Sequence, residues 1–358
     1  MAYDYRGDGD GPAVMPFQID EQDEDRSQLS VVDGDIRPRV LLVGLRNSGK
    51  TSIARVVYHR LSPNETTFLE TTSDITYDSM PSTSFLNLQI VDFPGQLNVL
   101  DPMIRGEDLF DNLGAVVFVL DAAENIGPAT ALLCNLVQEA YNINENINFE
   151  VLIHKADTIG SEEKRVITQQ LNEAVHDGLY GVDVQISFYL TSIFDVSVFE
   201  AMSKITQKLL PQFPSMQGML DTLAGRSNMI KAFLFDVSTK IYVASDSRTV
   251  DIGLYEACSD GIDLVVDVSG VFRRKREGET APSILYDEKT VGVVPVRNWT
   301  LYLRHVTKHL MLVCVIGTPL FESKQAIIKA NVEAFREGMH KMLALYPGHD
   351  EAPEPGSV

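Results

Sequence analysis

The feature that most constrains this chain is the octapeptide "GLRNSGKT", Gly44 to Thr51. It follows a continuous apolar run, Val40 to Val43, which reads as a short buried strand. Ile53, Val56, Val57 and Arg60 then recur at helical spacing. The pattern G-x-x-x-x-G-K-[ST] between a strand and a helix is the setting of a phosphate-binding loop. Its glycines let the backbone wrap closely and aim N–H groups at phosphate oxygens. The helix N-terminus adds a partial positive charge. Lys50 supplies a point charge between β- and γ-phosphates, and the Thr51 hydroxyl suits Mg²⁺. The bland alternative, a Gly-rich turn with a surface lysine, loses most of its weight once both flanks are counted.

The runs "FLNLQIVDF" (Phe85 to Phe93), "GAVVFVLD" (Gly114 to Asp121), "FEVLIHKAD" and "ISFYLTSI" follow, most of them separated by helical segments. This alternation predicts a mostly parallel sheet covered on both faces, with ligands at the carboxyl ends of its strands. The unusual polar motifs fall at such ends. In "DFPGQ", Asp92 is placed to hold Mg²⁺, the Gly95 amide to sense a γ-phosphate, and Gln96 to orient an attacking water. The polar stretch "SPNETTFLETT" offers several threonines as a further Mg²⁺ ligand, and spacing alone does not choose among them; a plain solvated loop also fits. In "HKAD", the Asp157 carboxylate matches the two donors of guanine, and Lys155 can lay its stem along the base plane. His154 stands where Asn is usual and can still donate one hydrogen bond. Taken alone, "HKAD" is a weak match that an ordinary strand end would also produce. "LTSI" adds a backbone amide near the base oxygen, at Ser192 and Ile193.

The second half lacks this rhythm. "MIKAFLFDV" and "KIYVASDS" read as a hairpin turning at Ser238 and Thr239, followed by an amphipathic helix, further strands and a long striped helix. An α+β domain on an antiparallel sheet is expected. The expected units are an acidic arm over 1–36, a nucleotide domain over 37–212, a helical linker over 213–228, a second domain over 229–346 and a tail over 347–358. The arm carries ten acids against Arg6 and Arg26 and reads as disordered. The overall net charge of −20 opposes non-specific nucleic-acid binding. No apolar run suits a bilayer, and neither terminus carries a signal or lipidation motif, so direct membrane insertion is not expected. Cys134, Cys258 and Cys314 match no metal spacing and read as buried thiols. The basic stretch from Phe272 to Glu277 reads as a solvated loop.

From about residue 38 to about 345 the chain resembles the Rag GTPases, in the RagC/RagD branch and its fungal counterparts. The phrases that carry it are "LLVGLRNSGKTSI", "SPNETTFLETT", "DFPGQ", "FEVLIHKAD", "SFYLTSIFD" and "KAFLFDVSTKIYVASDS". The His154 spelling is itself part of that family's pattern. The resemblance implies an α/β Ras-like P-loop GTPase domain followed by an α+β roadblock or longin-like domain. It implies GTP or GDP contacts from Gly44, Arg46, Asn47, Ser48, Gly49, Lys50, Thr51, Ser52, Thr66, Thr72, Gly95, His154, Lys155, Asp157, Ser192 and Ile193. It implies Mg²⁺ on Thr51, Thr72 and Asp92, and Gln96 in hydrolysis. The implied partners are an A/B-type Rag chain, a membrane-tethering scaffold complex, the TOR kinase complex and a GTPase-activating protein. The implied place is the cytoplasm and the cytoplasmic face of the vacuole or lysosome. A structural nucleotide-binding scaffold with negligible hydrolysis is the competing expectation. An ATP-using P-loop enzyme would need a substrate pocket and lid, and neither appears between the motifs.

Overall fold

The computed structural model describes residues 38–80, 84–86, 88–101, 109–110, 113–249, 252–272 and 289–345. The acidic arm, Arg273 to Glu277 of the basic stretch and the terminal tail lie outside the described residues.

The first sheet has six strands: β1 (Arg39–Val43), β2 (Thr76–Ser79), β3 (Gln89–Asp92), β4 (Leu113–Asp121), β5 (Asn148–His154) and β6 (Ile186–Leu190). Their order is β2-β3-β1-β4-β5-β6, parallel throughout except for β2, which runs against β3. Successive residues of a strand face opposite sides. Val40, Leu42, Val117 and Val119 thus share one core with Ile53 and Val57 of α1 (Lys50–His59) and with Val198 and Ile205 of α4 (Ser197–Leu209). Leu41, Val43 and Phe118 share the other with Leu136 of α2 (Ile126–Ile143) and Leu171 of α3 (Ser161–Gly178). Burial on both faces explains why these strands read as unbroken apolar runs.

After α5 (Phe213–Arg226), a second sheet is built from β7 (Lys231–Asp236), β8 (Tyr242–Ser245), β9 (Val291–Val296), β10 (Trp299–His305) and β11 (Leu310–Gly317). The order is β8-β7-β11-β10-β9, antiparallel throughout. The α6 helix (Ile252–Phe272) covers one face, with Tyr255, Cys258 and Ile262 against Phe233, Phe235 and Val313. On the other face lie α5 and α7 (Thr318–Leu343), whose Met216, Leu220, Val332 and Phe335 meet Leu234, Leu312 and Cys314. All three cysteines are free and buried.

The two domains share a core. Met80, Phe85 and Leu86, from the β2–β3 connection, belong to the same apolar cluster as Leu234 and Val243 of the second sheet. A polar clamp accompanies it. The buried Asp236 carboxylate accepts from the Phe85 amide at 2.7 Å and the Ser84 hydroxyl at 3.1 Å. This clamp explains a departure from expectation: the run from Phe85 is strand only from Gln89, because the Phe85 amide bonds to Asp236 rather than to a ladder. Phe85 is 4% exposed, and burying such a ring stabilises by about 1.5–3 kcal/mol. The clamp and the ring thus weld the β2–β3 connection to the second sheet.

Candidate functional site

The loop from Gly44 to Thr51 joins β1 to α1, as its spelling predicts. Lys50 is held across the loop, its Nζ donating to the Gly44 carbonyl at 3.0 Å and the Leu45 carbonyl at 2.8 Å. Burial lowers its pKa to about 8, with Asp92 opposing that shift. Ser48 is buried beside it, Arg46 and Asn47 are exposed at the tip, and Ser52 is half-buried in the first turn of α1.

Gly49 is required twice over. Its φ of 100° lies in the left-handed region, and a Cβ there would stand 2.6 Å from Cδ2 of His154. The His154 ring is therefore a floor beneath the loop. It is 1% exposed, and its Nδ1 pairs with the Thr191 hydroxyl at 3.0 Å. Burial, and then the positive charge of Lys155, lower its pKa to about 4, so the ring is neutral at pH 7. Lys155, at φ 56°, straps the same loop from above. Its Nζ donates at 2.7 Å to the Asn47 carbonyl and at 2.7 Å to Asp121 at the end of β4.

Asp157 is exposed, and its Oδ1 accepts from the buried Ser192 hydroxyl at 2.5 Å, which fixes the carboxylate. The Ser192 amide is taken by the Ser197 hydroxyl at 2.9 Å. The Ile193 amide makes no hydrogen bond among the described residues.

Of the threonines in "SPNETTFLETT", Thr72 comes to the loop. Its hydroxyl lies 2.8 Å from that of Thr51, which in turn donates to Asp92 Oδ2 at 2.5 Å. Asp92 is 4% exposed and its Oδ1 has no hydrogen-bond partner. Burial raises its pKa, partly offset by the Thr51 bond and the Lys50 charge. An orphaned buried carboxylate oxygen beside two hydroxyls is the donor set of a hard, oxygen-preferring cation, so these residues fit Mg²⁺. Thr66 stands apart in a 3₁₀ turn, Pro63–Phe68, its hydroxyl donating to the Pro63 carbonyl at 2.7 Å. Gly95 packs so closely under the loop that a Cβ would lie 2.5 Å from the Arg46 nitrogen. Gln96, next along, is exposed.

Asp121 and Thr191 do positioning work that the motif reading did not assign. Asp121 is the last residue of β4 and Thr191 directly follows β6, and this place at the carboxyl ends of strands was the available signal.

A mostly parallel sheet with a Gly-x-x-x-x-Gly-Lys-Thr loop, an Asp-x-x-Gly turn and a His-Lys-x-Asp sequence at the carboxyl ends of its strands defines a P-loop G protein, here with an added antiparallel domain. Residues 39–262 match the family model described as the Gtr1/RagA G protein conserved region. The chain is 43% identical over 311 residues to human Ras-related GTP-binding protein C, covering 86% of this chain and 77% of that protein. It is 43% identical over 313 residues to mouse Ras-related GTP-binding protein D, covering 86% of this chain and 69% of that one. Against the GTP-binding protein gtr2 of Schizosaccharomyces pombe the identity is 39% over 314 residues, covering 86% and 99%. The chain belongs to the Rag/Gtr family of G proteins, in its RagC/RagD-type branch.

Proposed function

We propose that this chain is the C/D-type subunit of a Rag heterodimer, a guanine-nucleotide switch that relays amino-acid sufficiency to the TOR kinase complex. The observation that carries the switch is the meeting of Thr72, Thr51 and Asp92. The hydroxyl contact ties the Thr72 loop to Thr51 and through it to Asp92, so a ligand that bears on those two residues bears on Thr72 as well. Those three residues would hold Mg²⁺, which would neutralise charge on the β- and γ-phosphates. Lys50 and the loop amides bind the phosphates, Lys155 and His154 keep the loop in shape, and Asp157 with the Ile193 amide reads guanine. Gly95 senses the γ-phosphate and Gln96 orients water. GTP holds the Thr72 and Gly95 segments in place, and hydrolysis releases them.

Gln96 is exposed and makes no hydrogen bond among the described residues, so none of them fixes it in an attacking pose. Turnover is accordingly slow and needs an activating protein. The same observation favours the second reading, a nucleotide-holding scaffold with negligible hydrolysis. In the division of labour we propose, residues 37–212 are the switch, 213–228 a helical linker, and 229–346 a roadblock-type domain that pairs with an A/B-type chain. Among the described residues no helix is long and apolar enough to cross a membrane. The proposal places the heterodimer at the vacuolar or lysosomal surface through a tethering scaffold complex. Single-turnover hydrolysis by the purified heterodimer tests the reading. Measurable GTP cleavage that Gln96→Leu removes supports the switch; equal, background rates in both support the scaffold.

A further inference from the structure

Lys155 joins the two halves of the nucleotide site. It belongs to the base-reading stretch, yet its Nζ reaches the Asn47 carbonyl at the tip of the phosphate loop. Both residues of this contact hold the left-handed backbone, Asn47 at φ 63° and Lys155 at φ 56°. Asn takes that conformation readily, whereas a lysine takes it at a cost. The side chain is long, flexible and 37% exposed. Without a further partner its ammonium would trade the single Asn47 carbonyl for water.

Asp121 is that partner, and it is held rigidly for the task. It pairs with His154 at the end of β5, and the Ala122 amide next to it donates to the His154 carbonyl at 2.8 Å. Its Oδ1 accepts from the Ala123 amide at 2.9 Å, which leaves Oδ2 for the Lys155 ammonium at 2.7 Å. The Asp121 side chain is 9% exposed, so this pair is better shielded than a loose surface contact. The sign of the charge separates two roles. As a bare charge, a carboxylate at this edge of the sheet repels a polyphosphate. As the anchor of Lys155, it helps to hold one. Removing it has opposite effects in the two cases.

We propose that Asp121 is a positioning residue that sets how long the bound guanine nucleotide stays. It acts through Lys155, keeping the ammonium where it pins the Asn47 carbonyl, so that the base-reading loop and the phosphate loop are tied to each other. Release of nucleotide then requires this tie to break, and the strength of the Asp121 bond governs how often it does. The inference rests on the guanine-nucleotide reading and adds to it a residue outside its motifs.

Release of a fluorescent GDP analogue from the full chain, chased with excess GDP in Mg²⁺ buffer, tests it. Asp121→Ala should release the analogue about tenfold faster than the parent, the low end for a lost charge-assisted bond because Lys155 is partly exposed. Asp121→Asn keeps an oxygen for the ammonium but loses the charge, and its rate should fall between the two. Lys155→Met keeps the stem and should also speed release. Adding Asp121→Ala to it should then change the rate by less than about twofold, because the anchor has nothing left to hold. Release at the parent rate or slower from either Asp121 variant, or effects of Asp121→Ala and Lys155→Met that multiply, would each overturn the proposal. Should Asp121→Ala not fold, Asp121→Asn decides alone. A parent chain that fails to bind the analogue would overturn the guanine reading as well, which separates the two failures.

Discussion

Acidification should loosen this protein through one residue, His154. Its ring sits in the folded chain with a pKa of about 4, against an ordinary 6.5. A group with a depressed folded pKa stabilises the fold above its unfolded pKa, and that stability is lost as pH falls toward the folded one. The window is therefore about 6.5 down to about 4. At about 1.4 kcal/mol per pH unit, the full loss across it is about 3 kcal/mol, of which about 2 kcal/mol has gone between pH 7 and pH 5. Other carboxylates titrate nearby, so the comparison is with His154→Asn, which keeps a donor for Thr191 and cannot protonate. Because one apolar cluster runs through both domains, urea unfolding of the full chain should be cooperative enough for its midpoint to report the difference. In excess GDP, the parent should lose about 2 kcal/mol more than His154→Asn from about pH 7 to about pH 5. Parallel losses in the two proteins would show that the ring is not a buried neutral group, and the account of the loop's floor would fall with it.

Gly49→Ala combines a left-handed φ with a Cβ 2.6 Å from the His154 ring, so GDP affinity should drop by about tenfold or more in a fluorescent-nucleotide titration. The loss should shrink when His154→Asn is added, since part of the clash is with the ring. Thr51→Asn removes the hydroxyl that meets both Thr72 and Asp92, and should weaken Mg²⁺·GTP binding far more than GDP binding; equal losses would remove Thr51 from the metal site. Asp157→Asn should move preference from GTP to XTP in competition assays, by up to about 10⁴ less what the exposure of Asp157 concedes. A folded variant that loses GTP without gaining XTP would disqualify Asp157 as the base reader.

Much of this was readable because local chemistry and global position agree. "GLRNSGKT" needs only its own flanks to be placed, and the buried strands announce themselves as apolar runs. Thr72 was different. Its selection over Thr66 depends on a 3₁₀ turn that occupies the Thr66 hydroxyl and on an edge strand, β2, whose polar "TYDS" has no apolar signature. Nor could spacing show that Asp236 would clamp Phe85 from a distance of 151 residues, because that contact exists only once both sheets are docked. His154 was legible as a substitution but not as a floor, since its partner Gly49 lies in a loop far upstream. The pairing of Arg60 with Asp263, 203 residues apart, is a further product of docking.

The shared core also sets an order of events during synthesis. The ribosome delivers the nucleotide domain first, with Met80, Phe85 and Leu86 bare and the Phe85 amide without its acceptor. The stretch from Lys231 to Leu343, which covers them, takes roughly 6 to 23 s more at ~5–20 residues per second. Through that interval the nascent chain displays a sticky face beside a finished nucleotide pocket. A chaperone, or early GDP capture that steadies the first domain, would shield it until the second sheet arrives.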